Sequence, residues 1–298
     1  MTPHRIFQVQ GGAKYGIIRP MNKITSKTRL SENVYRMDVE APLIARERKA
    51  GQFVILQVDD EFGERIPLTI ADADPDKGTV TIIFQTVGAS TMKLAKFEVG
   101  DDIPVVVGPL GRPTDVRKVG HVVCVGGGVG VAPMHPIAQA MKAIGNRVTI
   151  IIGARTKDLV IMEDEMRKIA DELIIVTDDG SYGRKGLVTE PLKECCEKGD
   201  VDEALVIGPP IMMKFAALTT KPYGVHTVAS LNTIMIDGTG MCGGCRITVG
   251  GETKFVCVDG PEFDAHQVDF DQMLSRARSF SDEERKAKDH LCQAGIFN

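Results

Sequence analysis

HVVCVGGGVGVAP, His121–Pro133, decides the architecture of this chain. HVVCV (His121–Val125) is a short apolar run with the look of a buried strand. A glycine-rich turn, Gly126-Gly127-Gly128-Val129-Gly130, follows, and a helical stretch then runs to about Ile144. Pro133 and Pro136 lie near the start of that helix, where proline is tolerated. Downstream the alternation repeats: RVTIIIGA (Arg147–Ala154) reads as a strand, DLVIMEDEMRKIAD (Asp158–Asp171) as a helix and ELIIVTDDG (Glu172–Gly180) as a strand. VTEPLKECCEKG, EALVIGPP (Glu203–Pro210) and IMMKFAALTT continue it. Strand-helix alternation with short links predicts a parallel sheet covered on both faces, an α/β domain over 119–225.

Upstream the texture differs. GQFVILQV (Gly51–Val58) and TVTIIFQTV (Thr79–Val87) are β-branched, partly alternating and bounded by Gly, Pro and Asp. Short strands with frequent turn signals predict an antiparallel barrel or sandwich over 1–118. A short head (1–14) ends in Gly11-Gly12, and ARERKA (Ala45–Ala50) reads as a solvated charge run. The third segment, 226–298, opens with a strand, HTVASL, and becomes rich in Gly and Cys to Cys257. Its tail holds a capping box, Ser281-x-x-Glu284, opening a charged helix.

Composition narrows the function. The chain has 298 residues, 43% of them hydrophobic, enough for about two ordinary domains with real cores. A formal net charge of −4, with no Lys/Arg-rich run, gives no electrostatic footprint for nucleic acid. No apolar run approaches the ~18 residues of a membrane span. The N-terminus MTPHRIFQVQGG lacks a signal-peptide core, and 7 Cys, unevenly spread, argue against a secreted disulfide framework. The expectation is a cytoplasmic protein.

The strongest chemical signal is Asp237-x4-Cys242-x2-Cys245-x11-Cys257. Ligands spaced in this way are the arrangement of a plant-type [2Fe–2S] loop, with glycines that let the backbone wrap closely. An Asp stands at the first position, where that loop has Cys; carboxylate is a harder ligand than thiolate. A structural zinc site of three Cys and one Asp and a set of unliganded thiols are the alternatives, although zinc sites usually come as two short pairs. The turn Gly126–Gly130 lets amides and a helix N-terminus approach a pyrophosphate, and Gly208-Pro209 marks another turn at a later strand end. Asp178 and Asp179 end a strand, where carboxylates favour a ribose diol over a 2′-phosphate; Arg155 and Lys157 end another. In the β-domain, RIPLTIAD (Arg65–Asp72), TVGASTMKL (Thr86–Leu94) and VGPLGRP (Val107–Pro113) are, on the residues alone, strand ends with turns. Cys195, Cys196 and Cys292 read as structural, the six His carry no metal or triad spacing, and Met162, Met166, Met212 and Met213 read as core filler.

Together these motifs resemble the ferredoxin–NADP reductase superfamily from about Tyr15 to Phe270, in the branch that carries a [2Fe–2S] loop at its C-terminus. ERIPLTIAD, TKDLV, DDGSYG, GPPIMMK, TVASLN, MIDGTGMCGGCR and FVCVDGPEFDAH resemble above all the small-subunit type of NADH-dependent reduced ferredoxin:NADP oxidoreductase, or sulfide dehydrogenase beta type. That type shares the Asp at the first ligand position, whereas the electron-transfer subunit of dihydroorotate dehydrogenase, in the same branch, has Cys. The resemblance implies an FAD-binding barrel, an NAD(H)-binding domain and a small cluster domain held by Asp237, Cys242, Cys245 and Cys257. Arg65, Pro67, Leu68 and Thr69 would face the isoalloxazine, and Gly88, Ser90 and Thr91 would hold the FAD pyrophosphate. The wider superfamily has Arg-x-Tyr-Ser at this strand; here no Tyr precedes Thr69, and Ile66 stands three residues before it. The implied partner is a larger flavin and [4Fe–4S] subunit that binds NADP(H) and serves ferredoxin. No side chain is expected to act as an acid or base, since the flavin takes the hydride. A zinc-stabilised nucleotide-binding regulator is the reading from another class.

Overall fold

The computed structural model describes residues 22–59 and 63–293. The short head, with Gly11 and Gly12, and the start of the β-domain at Tyr15 lie outside the described residues. The β-domain is an antiparallel sheet of β1 (Asn22–Ser31), β2 (Val34–Glu40), β3 (Phe53–Gln57), β4 (Arg65–Asp74), β5 (Thr79–Gln85), β6 (Asp102–Ile103) and β7 (Val105–Leu110), in the order β6-β1-β2-β5-β4-β3-β7. β6 and β7 stand at opposite edges, yet Pro104 alone separates them in the chain. The sheet must therefore curl until its edges meet, which makes it a barrel. Register shifts after Ile24, Arg29, Phe53 and Ile70 add to that curl.

Two short helices interrupt the strands, α1 (Pro42–Glu47) and α2 (Ala89–Leu94). The charge run beginning at Ala45 is thus helical as far as Glu47, a departure from the sequence expectation. Ile44 and Ala45 anchor that helix in the barrel core, and Arg46 and Glu47 face solvent.

The parallel sheet comprises β8 (His121–Gly127), β9 (Arg147–Ala154), β10 (Glu172–Thr177), β11 (Arg184–Lys185), β12 (Glu203–Ile207) and β13 (His226–Ser230), ordered β11-β10-β9-β8-β12-β13. Alternate residues feed two cores. Val123, Val125, Ile151, Val176 and Val206 face α5 (Thr189–Glu197) and α6 (Pro210–Thr220). Val122, Cys124, Ile150, Ile152 and Leu205 face α3 (Val131–Ala143) and α4 (Glu163–Ile169). Burial on both sides is why these strands read as unbroken apolar runs.

Two segments depart from the sequence reading, the helix after β9 and the start of the tail helix. α4 is shorter than expected: Lys157–Leu159 forms a 3₁₀ turn, and Met162, at φ 57°, turns the chain before the helix begins. HTVAS is a strand, as expected, and it extends the parallel sheet beside β12, where Ala229 and Leu231 share one buried core with Ala204 and Val206. The rest of the chain builds a hairpin, β14 (Arg246–Val249) and β15 (Glu252–Phe255), then α7 (Val256–Asp259), β16 (Glu262–Asp264), α8 (Phe270–Ala277) and α9 (Ser281–Gln293). β16 closes the large sheet antiparallel to β13. The charged tail helix is present, but not its capping box. Ser281 Oγ donates to Arg278 O at 2.7 Å, and the Glu284 amide donates to Phe280 O at 2.9 Å, because the chain leaves α8 already turning.

Cys195 and Cys196 lie buried in the core, as do Met166 and Met213; the Cys292 side chain lies outside the described residues. His121, buried, bonds Thr149 Oγ1 and Asp200 O, a structural role. Among the described residues no helix is long and apolar enough to cross a membrane.

Candidate functional site

The cluster loop is built on the β14–β15 hairpin. Arg246 pairs with Phe255, so Cys245, just before β14, and Cys257, just after β15, return to the same end of the hairpin. This explains the long spacing between them. Both are buried, with sulfurs 3.2 Å apart, beyond the ~2 Å of an S–S bond. Amides aim at the sulfurs: Cys257 N lies 3.4 Å from Cys245 Sγ, and Gly244 N lies 3.4 Å from Cys242 Sγ. Burial, reinforced by Cys245, raises the Cys257 thiol, and a metal binding its sulfur would displace the proton. Cys242 is exposed at the tip.

Asp237 has a second occupation. Its Oδ1 accepts the Thr239 amide and its Oδ2 the Cys242 amide, each at 2.9 Å. The Thr239 bond is the main reason its carboxyl sits below the usual range. Among the described residues no three metal-binding side chains stand preassembled. The sulfur pair, the amides directed at sulfur and the tight glycine turns nevertheless fit an iron–sulfur loop that closes on its cluster.

Gly238 ties the loop to the barrel. It has φ +73°, and a β-carbon there would lie 2.8 Å from both Ile55 Cγ1 and Leu110 Cδ1. Only glycine suits this place, on both backbone and contact grounds. Ile55 pairs across the sheet with Pro67. The period of two puts Arg65, Pro67 and Thr69 on the outer face of β4, while Ile66, Leu68 and Ile70 face the barrel core. Leu68, expected among the flavin-facing residues, therefore offers that face only its main chain. Arg65 is exposed, 3.4 Å from Gln57 Oε1.

Gly88, Ser90 and Thr91 form the first turn of α2. Space above Gly88 is open within 4 Å. Thr91 Oγ1 accepts the Gly88 amide at 3.2 Å, and Ser90 Oγ donates to Glu64 Oε2 at 2.8 Å.

The glycine turn sits at the carboxyl edge of the parallel sheet, between β8 and β12, where the strand order reverses. That reversal is where open α/β sheets bind ligands. Gly126 and Gly127 end β8, and Gly128, Val129 and Gly130 form a 3₁₀ turn into α3. A β-carbon on Gly130 would collide with the Ile207 carbonyl, so this glycine lets the β8 turn and Gly208-Pro209 meet. Met212 packs on Gly127 and Gly208, and open space lies above Gly128. Asp178 and Asp179 lie at the end of β10, two strand spacings or roughly 10 Å from the turn. Asp178 is exposed, and Asp179 is held ionised by the Ser181 amide and hydroxyl. Lys157 Nζ lies over the Tyr182 ring at 5.5 Å.

Comparison with known proteins agrees with this geometry. Residues 232–269 match the iron–sulfur cluster binding domain of dihydroorotate dehydrogenase B, and residues 124–217 match an oxidoreductase NAD-binding domain. The chain is 45% identical over 265 residues to a Thermotoga maritima homologue of the electron-transfer subunit of dihydroorotate dehydrogenase B (NAD+), covering 89% of this chain and 93% of that protein. The chain belongs to this family of electron-transfer subunits. An uncharacterised Clostridium beijerinckii protein is 50% identical over 277 residues, covering 90% of this chain and 93% of its own. A chain from the structure of the NADH-dependent reduced ferredoxin-NADP oxidoreductase, studied for flavin-based electron bifurcation, superposes with a TM-score of 0.87 at 42% identity. It covers 95% of this chain and all, 100%, of that one.

The resemblance drawn from the motifs is thus borne out, as is the architecture of barrel, parallel sheet and iron–sulfur domain. FAD, a [2Fe–2S] cluster and NAD(H) are the cofactors of electron-transfer subunits built this way. Sequence reasoning missed the residues that join the parts. Ile55 read as one strand residue among many, and Arg112 as part of a turn. Glu262, half-buried beside Thr114, lay within FVCVDGPEFDAH without being singled out.

Proposed function

We propose that this subunit passes electrons between NAD(H), FAD and a [2Fe–2S] cluster to a larger subunit of an electron-bifurcating NADH-dependent ferredoxin:NADP+ oxidoreductase. The observation that carries the reading is the contact of Gly238 with Ile55, the cross-strand partner of Pro67. It supports a cluster loop seated against the barrel face on which Arg65, Pro67 and Thr69 lie, the face that this reading gives to the flavin. FAD, when bound, converts two-electron hydride chemistry into one-electron steps.

The chain's own residues divide the work. Arg65, Pro67 and Thr69, with the main chain of Leu68, face the flavin ring, and Gly88, Ser90 and Thr91 receive its pyrophosphate. Gly126, Gly127, Gly128, Val129 and Gly130, with Gly208 and Pro209, seat NADH. Asp178 and Asp179 meet its adenosine ribose and disfavour a 2′-phosphate, while Lys157 lies over the Tyr182 ring. Cys242, Cys245, Cys257 and Asp237 hold the cluster. The working units are 1–118, 119–225 and 226–298, the last lending β13 and β16 to the central sheet.

The partner is a larger flavin and [4Fe–4S] subunit that binds NADP(H), reaching ferredoxin through the complex. It docks beside the cluster, where Ile236, Met241 and Phe280 are exposed near a groove of ≈ 300 Å³ that includes Arg246 and Arg276. The relatives at 32–34% identity named as dihydroorotate dehydrogenase B (NAD+) electron-transfer subunits support a second assignment, to that enzyme. Purification with the native partner decides between them. The first reading expects NADP+-dependent ferredoxin chemistry, no dihydroorotate oxidation, and faster flavin reduction by NADH than by NADPH in the isolated subunit. Dihydroorotate-dependent NAD+ reduction would establish the second.

A further inference from the structure

The turn that leaves the barrel after β7 grips the segment that follows Cys257. The Arg112 amide donates to Gly260 O at 2.7 Å, and its Nε donates to Val258 O at 3.1 Å. Its guanidinium also lies 3.6 Å from Asp259 Oδ1. Asp259 Oδ2 in turn accepts the Phe255 amide at 2.7 Å. The bonded set Arg112, Asp259 and Phe255 therefore brackets Cys257 on both sides. Two residues before Arg112, Leu110 presses on Gly238, next to Asp237 at the other end of the loop.

The energetic weight lies in the carbonyl contacts. The Arg112 side chain is 68% exposed, so its ion pair with Asp259 is screened and contributes little. A planar guanidinium that donates to the carbonyl end of α7 while facing Asp259 fixes an orientation, which a flexible ammonium cannot match.

We propose that Arg112 is a positioning residue that holds the Cys257 side of the cluster loop at a fixed distance from the flavin face of the barrel. The inference rests on the reading that FAD lies on the outer face of β4 and the cluster in the cysteine loop. The step it serves is a single-electron transfer: the reduced flavin loses one electron, one ferric iron becomes ferrous, and the flavin proton leaves to solvent.

The test uses the full chain with its partner, comparing wild type, Arg112→Ala and Arg112→Lys. In Arg112→Ala, flavin-to-cluster transfer after rapid mixing with NADH is expected to slow about tenfold or more. FAD content, the cluster spectrum and the rate of flavin reduction by NADH should stay at wild-type values. Hydrogen exchange of the amides between 255 and 260 should rise, in the cofactor-free chain as well. Arg112→Lys, which keeps one donor and loses the fork, should fall between the two. An unchanged transfer rate in Arg112→Ala overturns the proposal. So does loss of the cluster in Arg112→Ala or full wild-type behaviour of Arg112→Lys, since the residue would then serve assembly or charge alone. A wild-type chain without flavin or iron–sulfur absorption would instead sink the underlying cofactor reading.

Discussion

The nucleotide turn and the cluster loop are both glycine-rich, yet they reach order by opposite routes. The turn at Gly126–Gly130 is finished by the fold: β8 and β12 flank it, Met212 packs on Gly127 and Gly208, and Gly130 allows contact with Ile207. The cluster loop is half finished. Cys245 and Cys257 are paired and buried, Cys242 stands exposed, and the Asp237 carboxylate bonds amides of its own loop. A sheet edge can preorganise a site from backbone alone, whereas a loop of soft ligands needs its metal to complete it.

Removing a thiolate should separate the two regions most sharply. Cys245→Ala or Cys257→Ala is expected to abolish the cluster, because each takes away half of the buried sulfur pair. Cys245 and Cys257 share the core on the α5–α6 face of the parallel sheet, but the barrel interior and the α3–α4 face contain neither, so flavin content and reduction by NADH should survive. The check is visible absorption and iron content beside NADH-driven flavin bleaching. Retention of a full cluster in either variant would show that the pair is not the ligand set.

The converse variant is Gly130→Ala. Its methyl group would meet the Ile207 carbonyl and force the turn away from Gly208, at a stability cost of about 1–3 kcal/mol. Reduction of the flavin by NADH should fall by about a hundredfold in kcat/KM, with the iron–sulfur spectrum intact. Loss of the cluster in this variant would mean that the two regions are one cooperative unit.

How much of this was legible depends on the range of the interaction. The parallel sheet announced itself through local periodicity, and the cluster loop through cysteine spacing that one hairpin enforces. The join between them did not. Arg112 Nε meets Val258 O across 146 residues of sequence, and Gly238 meets Ile55 by shape alone. HTVAS looked like the start of a new unit because a parallel partner such as β12 leaves no mark on the strand it recruits. The capping box at Ser281 failed for a related reason. Its pattern is local, but the direction in which the chain leaves α8 is not.

Glu262 tests that hidden join through pH. It lies on β16, accepts Thr114 Oγ1 at 2.7 Å, and is pushed up to about 7 by burial, with Glu203 and Asp115 adding to the shift. Arg112, Arg117, His226, Asp259 and Asp264 line the same groove, and Arg117 and His226 pair with Glu203. A carboxyl raised in the folded state favours folding when protonated. Its contribution is complete below about pH 4.5 and is lost as pH rises through about 7. Glu262→Gln, neutral at every pH, should therefore gain stability over wild type as pH rises from 5 to 8. The gain is at most about 3 kcal/mol. Urea unfolding at both pH values measures it; parallel pH profiles would mean that Glu262 ionises freely in the folded protein.

Asp237 should give the smallest effect and the sharpest distinction within the cluster loop. As a ligand it donates less charge to iron than thiolate does, so Asp237→Cys should still assemble a [2Fe–2S] cluster with a shifted spectrum and a lower potential. As a loop-closing carboxylate it holds the amides of Thr239 and Cys242, and Asp237→Ala would release both. The two roles predict different changes in Asp237→Ala. Loss of a ligand makes the cluster labile and alters its spectrum. Loss of loop closure raises hydrogen exchange at residues 239 and 242 and leaves the spectrum of a bound cluster unchanged. We expect a labile cluster with an altered spectrum together with raised exchange at 239 and 242, because metal binding can exchange one oxygen's amide for iron while the other oxygen still holds the turn. Cluster lifetime should shorten less than in the cysteine variants, since Cys242, Cys245 and Cys257 remain to grip the irons. An Asp237→Ala protein with wild-type spectrum, potential and cluster lifetime would remove Asp237 from the ligand set and leave it the turn alone.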